Sequence, residues 1–363
     1  MSAPDVPAVK LRPEIVALPA YRQGKTVEGG FKLSSNENPF DPLPGVLQAT
    51  QAATAVMHRY PNGFAPELSA RLAARHGVPL EQVIVGAGSV AVLAQLVTAA
   101  AGAGDEVVYS WRSFEAYPLL PAMSGATSVK VPNRPDHSHD LSAMADAITT
   151  RTRLVIVCTP NNPTSTIVTR SEFTDFMARV PSDLLVVLDE AYAEFVGSSL
   201  VGLRDAYPNL IVVRTASKAY ALAGLRVGFA VARPEVIARM NPYRPPGSVS
   251  TVSVTLVTEA LRDPTVLAAN LERVARERVR LSAALRAAGW SVGPSVTNFV
   301  LVDFGTPDRA AAVAETLLSR GLVPRTFGAG HPLADHLRLT VRDPDENDRL
   351  IAAATDHARE TPR

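Results

Sequence analysis

Lys218 is the residue in this chain whose type and setting most clearly suggest chemistry. It is one of five lysines among the 36 Lys and Arg residues, and it lies in TASK (215–218), eight residues before Arg226 in GLRVG (224–228). A lysine whose pKa is lowered by its surroundings can form a Schiff base, whereas arginine stays protonated and is no amine nucleophile. A lone Ser-Lys pair is more typical of a surface loop, so a chemical role for Lys218 depends on groups elsewhere in the sequence.

A glycine-rich segment, VGAGS (85–89), follows one apolar run and opens a helical pattern. The N–H groups at a helix N-terminus, together with the helix dipole, form a natural phosphate site. The same glycines could also make an ordinary tight turn. A dinucleotide-binding interpretation is disfavoured because Asp105 and Glu106, the acids at about the required separation, precede the next strand instead of ending it.

Polar side chains also follow two later apolar runs. TPNNPT (159–164) places the amides of Asn161 and Asn162 after the first, although two asparagines between prolines also suit a turn. The second run ends in LDEAY (188–192). Burying Asp189 at the end of an apolar strand is costly without a positive partner, which is either an arginine or a protonated ligand nitrogen.

These groups need a scaffold that brings the ends of successive strands together. Apolar, β-branched runs recur at residues 83–85, 106–109, 128–131, 154–157, 184–188, 211–213 and 227–231. Helical patterns separate most of them, for example at 67–76, 90–101 and 171–179. We therefore predict an α/β fold with a mostly parallel seven-stranded sheet covered by helices, and a ligand site at the carboxyl ends of the strands. The last two runs are too close for a crossover helix, which predicts that one of them runs antiparallel.

The pattern changes after Pro245 and Pro246, which mark a hinge region. A long helical stretch (250–288) leads to a strand (299–304), a helix (307–320), two short strands near 322–324 and 337–339, and a last helix. The chain is predicted to divide into an N-terminal arm (1–35), a large cofactor-binding domain (36–245) and a smaller α+β domain (246–363).

Composition excludes several classes of function. The formal charge is +1 and acidic and basic residues are interspersed, so we expect no nucleic-acid partner. The longest apolar stretch, 90–103, is too short to span a bilayer, and residues 1–10 lack the apolar segment of a signal peptide. The single cysteine, Cys158, excludes an intrachain disulfide and lies in an apolar run, as a buried strand residue would. We expect a cytoplasmic protein with no membrane partner and no metal site.

Taken in order, the polar groups match the needs of one cofactor. Pyridoxal 5′-phosphate needs a lysine for its aldehyde, an acid for its pyridinium nitrogen, hydrogen-bond donors for its phenolic oxygen and cations for its phosphate. The chain resembles the fold-type-I, pyridoxal-phosphate-dependent aminotransferases, and among them the histidinol-phosphate and aromatic amino acid (phenylalanine) aminotransferases. The resemblance is carried by LSSNENP (33–39), YP (60–61), PNNPT (160–164), LDEAY (188–192), SK (217–218), GLRVG (224–228) and LRL (337–339).

The resemblance implies roles for individual residues around the cofactor. Lys218 would bind the cofactor's aldehyde and then move the substrate's proton, and Asp189 would keep the pyridine nitrogen protonated. Asn162 and Tyr192 would hydrogen-bond the ring's 3′ oxygen. Five residues, the first two through backbone N–H groups, would hold the phosphate: Ser89, Val90, Thr215, Ser217 and Arg226.

Further residues are implied at the ring face, the subunit boundary and the substrate. Phe114, in WRSFEAY (111–117), would stack on the ring, although ordinary aromatic packing also explains that cluster. Arg338 would bind the substrate carboxylate as a bidentate fork, the alternative being a surface arginine on an edge strand. Tyr60 would reach the phosphate of the neighbouring subunit, which implies a homodimer with shared sites. The other substrate-binding candidates are Tyr21, Asn38 and Arg325.

The substrate prediction rests on two departures from the family pattern. Val90-Ala91 replaces acidic residues and Gly247-Ser248 replaces an aromatic-asparagine pair, and both changes resemble the aromatic amino acid subgroup. We therefore predict a ping-pong transfer between an aromatic amino acid (phenylalanine, tyrosine or tryptophan) and the 2-oxo acid 2-oxoglutarate. Histidinol phosphate is the alternative donor. Its phosphate dianion, a second phosphate beside that of the cofactor, would require arginines to converge, the candidates being Arg22, Arg325 and Arg338. A decarboxylase or β-lyase on the same fold is a further alternative.

Overall fold

The strands of the protein form three sheets in the computed structural model, which describes residues 10–16, 18, 27–41 and 45–360. In chain order they are β1 (Phe31–Lys32), β2 (Val83–Gly86), β3 (Glu106–Trp111), β4 (Thr127–Pro132), β5 (Thr152–Cys158), β6 (Leu185–Asp189), β7 (Leu210–Thr215), β8 (Gly228–Ala232), β9 (Ser291–Val292), β10 (Phe299–Asp303), β11 (Leu322–Val323), β12 (Arg325–Thr326) and β13 (His336–Thr340). The largest sheet has seven strands in the order β2-β8-β7-β6-β5-β3-β4. Each of the seven corresponds to one predicted apolar run.

The seven-stranded sheet is mostly parallel, as predicted. Strands β4, β3, β5, β6 and β7 run in one direction, whereas β8 is antiparallel to both of its neighbours, β7 and β2. Only a short connection joins Thr215 to Gly228, which leaves no room for the crossover helix that a parallel pair needs. The carboxyl ends of the parallel strands therefore meet at one edge.

Helices cover the sheets. They are α1 (Pro13–Val16), α2 (Val46–Ala55), α3 (Pro66–His76), α4 (Ser89–Ala100), α5 (Leu119–Ser124), α6 (Leu141–Asp146), α7 (Arg170–Met177), α8 (Ala193–Val196), α9 (Pro234–Met240), α10 (Thr251–Ala260), α11 (Pro264–Ala287), α12 (Pro307–Ser319) and α13 (Pro344–Glu360). The predicted helices at 67–76, 90–101 and 171–179 correspond to α3, α4 and α7. Among the described residues, no helix combines the length and apolar character needed to cross a membrane.

Side chains alternate between the two faces of the large sheet along each strand, and helices cover both faces. On β5, Leu154 and Ile156 pack against α4, while Val155 and Val157 pack on the opposite face against α7. Cys158 ends the same strand and is buried, as predicted from its apolar surroundings. The predicted apolar runs therefore correspond to strands that are covered on both sides, except for the edge strand β4, most of whose residues are exposed or partly exposed.

A second, smaller sheet forms after residue 245. It is antiparallel, with the order β12-β13-β10-β9, and its core contacts α11, α12 and α13. This agrees with the α+β arrangement predicted for this part of the chain. The short β1 strand was not predicted; it pairs with β11 in parallel and so ties residues 31–32 to residues 322–323. The division into an arm and two domains at 35 and 245 stays a prediction.

The long helical stretch predicted over 250–288 is wrong in one respect, because two helices, α10 and α11, occupy it. Asp263 lies between them and its carboxylate accepts a hydrogen bond from the Thr265 backbone N–H at 2.8 Å. Pro264 occupies the first turn of α11. An N-cap aspartate followed by proline starts a new helix, since proline lacks the N–H that a continuing helix needs.

Candidate active site

Three neighbouring strands of the large sheet end in residues predicted for the site. Asp189 ends β6 and Thr215 ends β7, while Asn162 follows the end of β5. The strands are adjacent in the order β5-β6-β7 and parallel, so their carboxyl ends lie side by side. This is the edge at which open α/β sheets bind ligands.

The predicted phosphate turn is formed by residues 86–89, between β2 and α4. Gly88 has a φ of 85°, which only glycine adopts easily, and it precedes the first residue of α4, Ser89, without any side-chain cap. The first N–H groups of α4, including those of Ser89 and Val90, therefore have no capping side chain. A Cβ atom at Gly88 would lie 2.5 Å from Nη2 of Arg226, so this guanidinium crosses directly over the turn. Free N–H groups facing an arginine make a cradle suited to a phosphate dianion.

Gly228 is the residue that allows β8 to approach this turn. A Cβ there would lie 2.1 Å from the backbone nitrogen of Ser89, so Gly228→Ala must displace backbone. We expect a loss of about 1–3 kcal/mol in the free energy of unfolding, as in overpacked cores, together with weaker binding of pyridoxal phosphate to the cofactor-free protein. The measurements are urea unfolding and a fluorescence titration with the cofactor. Gly224→Ala is the matched control, because a Cβ at Gly224 has no atom within 4 Å and should change neither quantity. Equal effects of the two substitutions would contradict this reading of the turn.

The hydroxyls predicted to bind phosphate form one connected group beside the turn. The Ser217 backbone N–H donates to Oγ1 of Thr215 at 3.1 Å, and the Thr215 hydroxyl donates to Oγ of Ser217 at 2.9 Å. Nη1 of Arg226 in turn lies 3.5 Å from Oγ of Ser217. The structure thus brings together Thr215, Ser217 and Arg226, as the sequence predicted.

Asp189 is buried, and within the described residues it forms no ion pair. Its carboxylate accepts hydrogen bonds from the Tyr117 hydroxyl at 2.8 Å and from the Ala191 backbone N–H at 3.1 Å. Burial raises the pKa of this carboxyl from 3.8 to about 6, although both hydrogen bonds oppose the rise. The predicted positive partner is therefore not an arginine of the described chain.

The next residue, Glu190, is a buried acid whose negative charge is balanced by an arginine. Its carboxylate lies 3.6 Å from Nη1 of Arg214 and accepts hydrogen bonds from Ser199 and Leu200 at 2.5 and 2.6 Å. Two adjacent buried acids thus differ in that one has an arginine and the other has none. Since a buried carboxylate is stabilised by an opposite charge, Asp189 is suited to a ligand that brings its own protonated nitrogen.

Lys218 is partly buried beside the segment that follows β1. Its Nζ donates hydrogen bonds to the backbone oxygens of Ser35 at 3.1 Å and Asn36 at 3.4 Å. Burial, and after it the charges of Arg338 and Arg226, lower the pKa of the amine from 10.5 to about 8. An amine with this pKa is neutral in part of the population near neutral pH, as a nucleophile or base must be.

Tyr192 is buried with its hydroxyl at the site. The hydroxyl accepts a hydrogen bond from Nδ2 of Asn36 at 2.9 Å, and the Tyr192 ring lies 5.8 Å from Nζ of Lys218. Burial raises the pKa of Tyr192 to about 12. The hydroxyl therefore stays protonated and can donate a hydrogen bond to a ligand oxygen.

The two adjacent asparagines have different surroundings. Among the described residues, the side chain of Asn161 forms hydrogen bonds only with those that follow β3 and β5. Its oxygen accepts from Ser113, and its Nδ2 donates to the backbone oxygen of Arg112 and to Thr164. Asn162 instead accepts a hydrogen bond from Nη1 of Arg338. Asn162, the predicted member of the pair, is thus the one that contacts another predicted site residue.

The predicted substrate arginines lie opposite each other on adjacent strands. Arg325 on β12 and Arg338 on β13 are cross-strand partners, so their side chains project from the same face of the small sheet. Arg338 is buried and also donates to the backbone oxygen of Ser34. Arg325 pairs with the carboxylate of Glu115. The third arginine considered, Arg22, lies outside the described residues.

The remaining predicted residues have varied positions. Phe114 is partly buried and its ring lies 5.7 Å from that of Tyr117, nearly perpendicular to it. Nδ2 of Asn38 donates to the backbone oxygen of Ala219, next to Lys218, at 3.4 Å. Tyr60 is fully exposed on this single chain. Tyr21 lies outside the described residues.

Sequence reasoning missed two residues that orient the site. Tyr117 holds Asp189, and Asn36 holds Tyr192 while its backbone oxygen accepts from Lys218. Both residues lie in stretches that carried the family resemblance, 111–117 and 33–39, but neither stretch indicates which distant side chain each residue contacts. Asn36 is held in turn by the small antiparallel sheet and the residue before it. Its backbone N–H donates to the hydroxyl of Thr340 on β13, and its backbone oxygen accepts from Nδ2 of Asn298, just before β10.

Fold and site together define an aminotransferase. Residues 28–353 match the family described as aminotransferase class I and II, and the chain belongs to this family. It is therefore a transaminase.

The chain is 45% identical over 359 residues to an aromatic amino acid aminotransferase of Streptomyces coelicolor, and the match covers 97% of this chain and 98% of the relative. It is 44% identical over 350 residues to an aromatic amino acid aminotransferase of Mycolicibacterium smegmatis, covering 95% of this chain and 94% of that relative.

Solved structures show the same fold. The histidinol-phosphate aminotransferase of Sinorhizobium meliloti in complex with pyridoxal-5′-phosphate superimposes with a TM-score of 0.89 at 28% identity, covering 97% of this chain and 98% of that one. A Thermus thermophilus aspartate aminotransferase tetra mutant gives a TM-score of 0.80 at 26% identity, with 97% and 99% covered. The predicted fold class is confirmed.

Proposed function

We propose that this transaminase uses pyridoxal phosphate to move an amino group between an aromatic amino acid and 2-oxoglutarate. The observation that carries the cofactor is Asp189, a buried acid for which the described chain offers no cation. The aromatic donor is supported by the relatives, several of which bear the name aromatic amino acid aminotransferase at 42–46% identity.

The residues present fit the cofactor group by group. The N-terminus of α4 and Arg226 would hold the phosphate, with Thr215 and Ser217 beside them. Asp189 would accept the hydrogen bond of the protonated ring nitrogen, and its carboxylate would be stabilised in return. Tyr192 and Asn162 would bind the 3′ oxygen, and Phe114 would contact the ring face.

When bound, pyridoxal phosphate supplies a ring that accepts the electrons released as the substrate's Cα–H bond breaks. The chain's own residues then move protons and orient groups. Lys218, whose pKa is about 8, would accept the proton of the substrate's Cα at Nζ and deliver it to the carbon that was the cofactor's aldehyde carbon. Arg338 binds the α-carboxylate that donor and acceptor share, so both present their reacting carbon to Lys218. One site thereby serves two substrates in turn, as a ping-pong mechanism requires.

A second subunit is part of this proposal. Tyr60 is fully exposed although it is a large aromatic residue, and Leu47, Met57 and Phe64 on the same part of the chain are exposed too. Such a group of apolar residues is typical of a protein interface. We propose a homodimer in which Tyr60 of each subunit reaches the phosphate of the other. The arm and domain boundaries at 35 and 245, and a cytoplasmic location consistent with the free Cys158, belong to the same proposal.

A histidinol-phosphate aminotransferase is the second candidate, favoured by one observation. Arg325 and Arg338 share one face of the small sheet, and two guanidinium groups side by side could bind the phosphate dianion of histidinol phosphate. Against this candidate, Arg325 is already paired with Glu115.

The deciding experiment is a half-reaction. The holoenzyme is mixed in a stopped-flow instrument with excess phenylalanine or with histidinol phosphate, without any 2-oxo acid, and the cofactor absorbance is followed. Fast single-turnover loss with phenylalanine, with phenylpyruvate as the product, is expected. Faster conversion of histidinol phosphate would replace the aromatic proposal by the second candidate. Release of CO₂ or of a β-substituent in place of phenylpyruvate would overturn transamination of this donor.

A further inference from the structure

Glu115 is an acidic residue close to the predicted substrate arginine whose role the proposed reaction does not explain. It belongs to the segment 111–117, which also carries Phe114 and Tyr117. Its carboxylate pairs with Arg325 of β12, so the contact joins the large sheet to the small one. Both partners remain partly accessible, with exposed side-chain fractions of 41% for Glu115 and 23% for Arg325.

The position of Arg325 is fixed by strand register. It stands directly opposite Arg338 in the antiparallel pair β12-β13, and side chains of directly opposed residues are neighbours on one face. Arg338 reaches Asn162, beside the proposed cofactor position, whereas Arg325 reaches Glu115. A substrate whose α-carboxylate is bound by Arg338 would therefore extend its far end toward Arg325 and Glu115.

The charges around this far end can be assigned. Partial burial opposes ionisation of Glu115, but the hydrogen bond and charge of Arg325, and then the charge of Arg338, lower the pKa of its carboxyl. His331 is neutral near pH 7, because burial and the charge of Arg112 lower its pKa to about 4. Arg112 lies against the Trp111 ring, 3.9 Å from the ring centroid. The Glu115 carboxylate thus lies among three guanidinium groups, those of Arg325, Arg338 and Arg112.

We propose that Glu115 is a specificity-determining residue that acts as an internal counter-ion for Arg325; this inference rests on the proposed aminotransferase function. With Glu115 in place, an uncharged aromatic side chain enters while Arg325 keeps its contact with the Glu115 carboxylate. A substrate with a carboxylate or phosphate at its far end must displace Glu115 from Arg325 before it gains the same contact. The pair therefore favours aromatic side chains and weakens the binding of substrates with a far-end carboxylate, among them the proposed acceptor 2-oxoglutarate, which binds only by displacing Glu115. The selection works by competition for Arg325 and not by the size of the substrate.

The test compares two inert ligands of the holoenzyme loaded with pyridoxal phosphate. Glutarate carries a carboxylate at each end, whereas 3-phenylpropanoate carries one carboxylate and an aromatic ring. Their dissociation constants are measured from the change in cofactor absorbance on binding. In Glu115→Gln, the dissociation constant of glutarate is expected to fall by about tenfold relative to that of 3-phenylpropanoate. The competing carboxylate is then gone while Arg325 remains. The kcat/KM ratio of glutamate to phenylalanine should rise in parallel, because glutamate carries a carboxylate at its far end.

Two further variants make the outcome decisive. Glu272→Gln removes an exposed glutamate that pairs with Arg276 on α11, far along the chain from the site residues, and should leave the ligand ratio unchanged. In an Arg325→Gln background, Glu115→Gln should no longer tighten glutarate, since the two residues act as a unit. An unchanged ratio in Glu115→Gln, or the same change with and without Arg325, would overturn the inference. Failure of phenylalanine to react would overturn the proposed donor instead, and the ligand ratio would still report on Glu115.

Discussion

Lys218→Ala is expected to lower the rate of the phenylalanine half-reaction by about 10⁴-fold, because the chain then lacks both the amine that binds the cofactor's aldehyde and the base that moves the Cα proton. The measurement is single-turnover loss of cofactor absorbance in the stopped-flow instrument. A small primary amine such as methylamine, added in solution, should restore part of the rate, since it can replace the missing base but is not positioned by the protein.

Lys130→Ala is the control, because Lys130 is an exposed lysine on β4 whose Nζ lies 5.3 Å from the Trp111 ring centroid and which has no proposed role in the reaction. It should retain the wild-type rate. If Lys218→Ala kept more than a small fraction of the rate without added amine, another group would have to be the base, and the assignment of Lys218 would be wrong. Rescue that did not increase with amine concentration would also contradict the assignment.

Asp189→Asn is expected to make the cofactor-free protein more stable and the holoenzyme far less active. The pKa of Asp189 is raised by burial from 3.8 to about 6, so the native state binds this proton more tightly than the unfolded chain does. Ionising the group therefore costs stability, from nothing below about pH 4 to about 3 kcal/mol above about pH 6. Relative to Asp189→Asn, the wild-type free energy of unfolding should fall as the pH rises through this window and then stay lower.

Urea unfolding of both cofactor-free proteins between pH 4 and 8 measures the difference directly. Asp183→Asn, at an exposed residue just before β6, is the matched control for removing a carboxylate at the protein surface. In the holoenzyme, Asp189→Asn should reduce the half-reaction rate by about 10²- to 10³-fold, the cost of losing one preorganised charge at the reacting group. A stability difference that did not vary with pH would show that burial does not raise the pKa of Asp189 in the native protein.

The sequence was sufficient to predict the large sheet because all of its strands except the edge strand β4 are buried on both faces. Their apolar runs are continuous, so each could be recognised without knowing its neighbours, and the short connection between residues 215 and 228 even indicated the antiparallel strand. The two-residue strand β1 could not be recognised in this way, since its pairing with β11 depends on residues almost 300 positions away. The break before α11 was missed although Asp263 and Pro264 carry a recognisable start signal.

For the site, motifs indicated which residues belong to it but not how they are connected. Asp189, Lys218 and Arg226 lie at strand ends and in glycine-flanked turns, where a function can be read from residue type and position. The hydrogen bonds of Tyr117 to Asp189 and of Asn36 to Tyr192 depend on tertiary packing. The pairing of Arg325 with Glu115 likewise required the register of β12 and β13.

The segment 33–38 also has a consequence for how the enzyme is made. It supplies oxygens to Lys218 and Arg338 and an amide to Tyr192, and its Asn36 is held by Thr340, which is 304 residues further along the chain. At a synthesis rate of about 5–20 residues per second, these partners emerge from the ribosome roughly 15–60 s apart. Asp189 and the phosphate turn can assemble on the nascent chain during that interval, but Lys218 acquires its final surroundings only after β13 has been synthesised. The active site therefore cannot be completed until almost the whole chain has been synthesised.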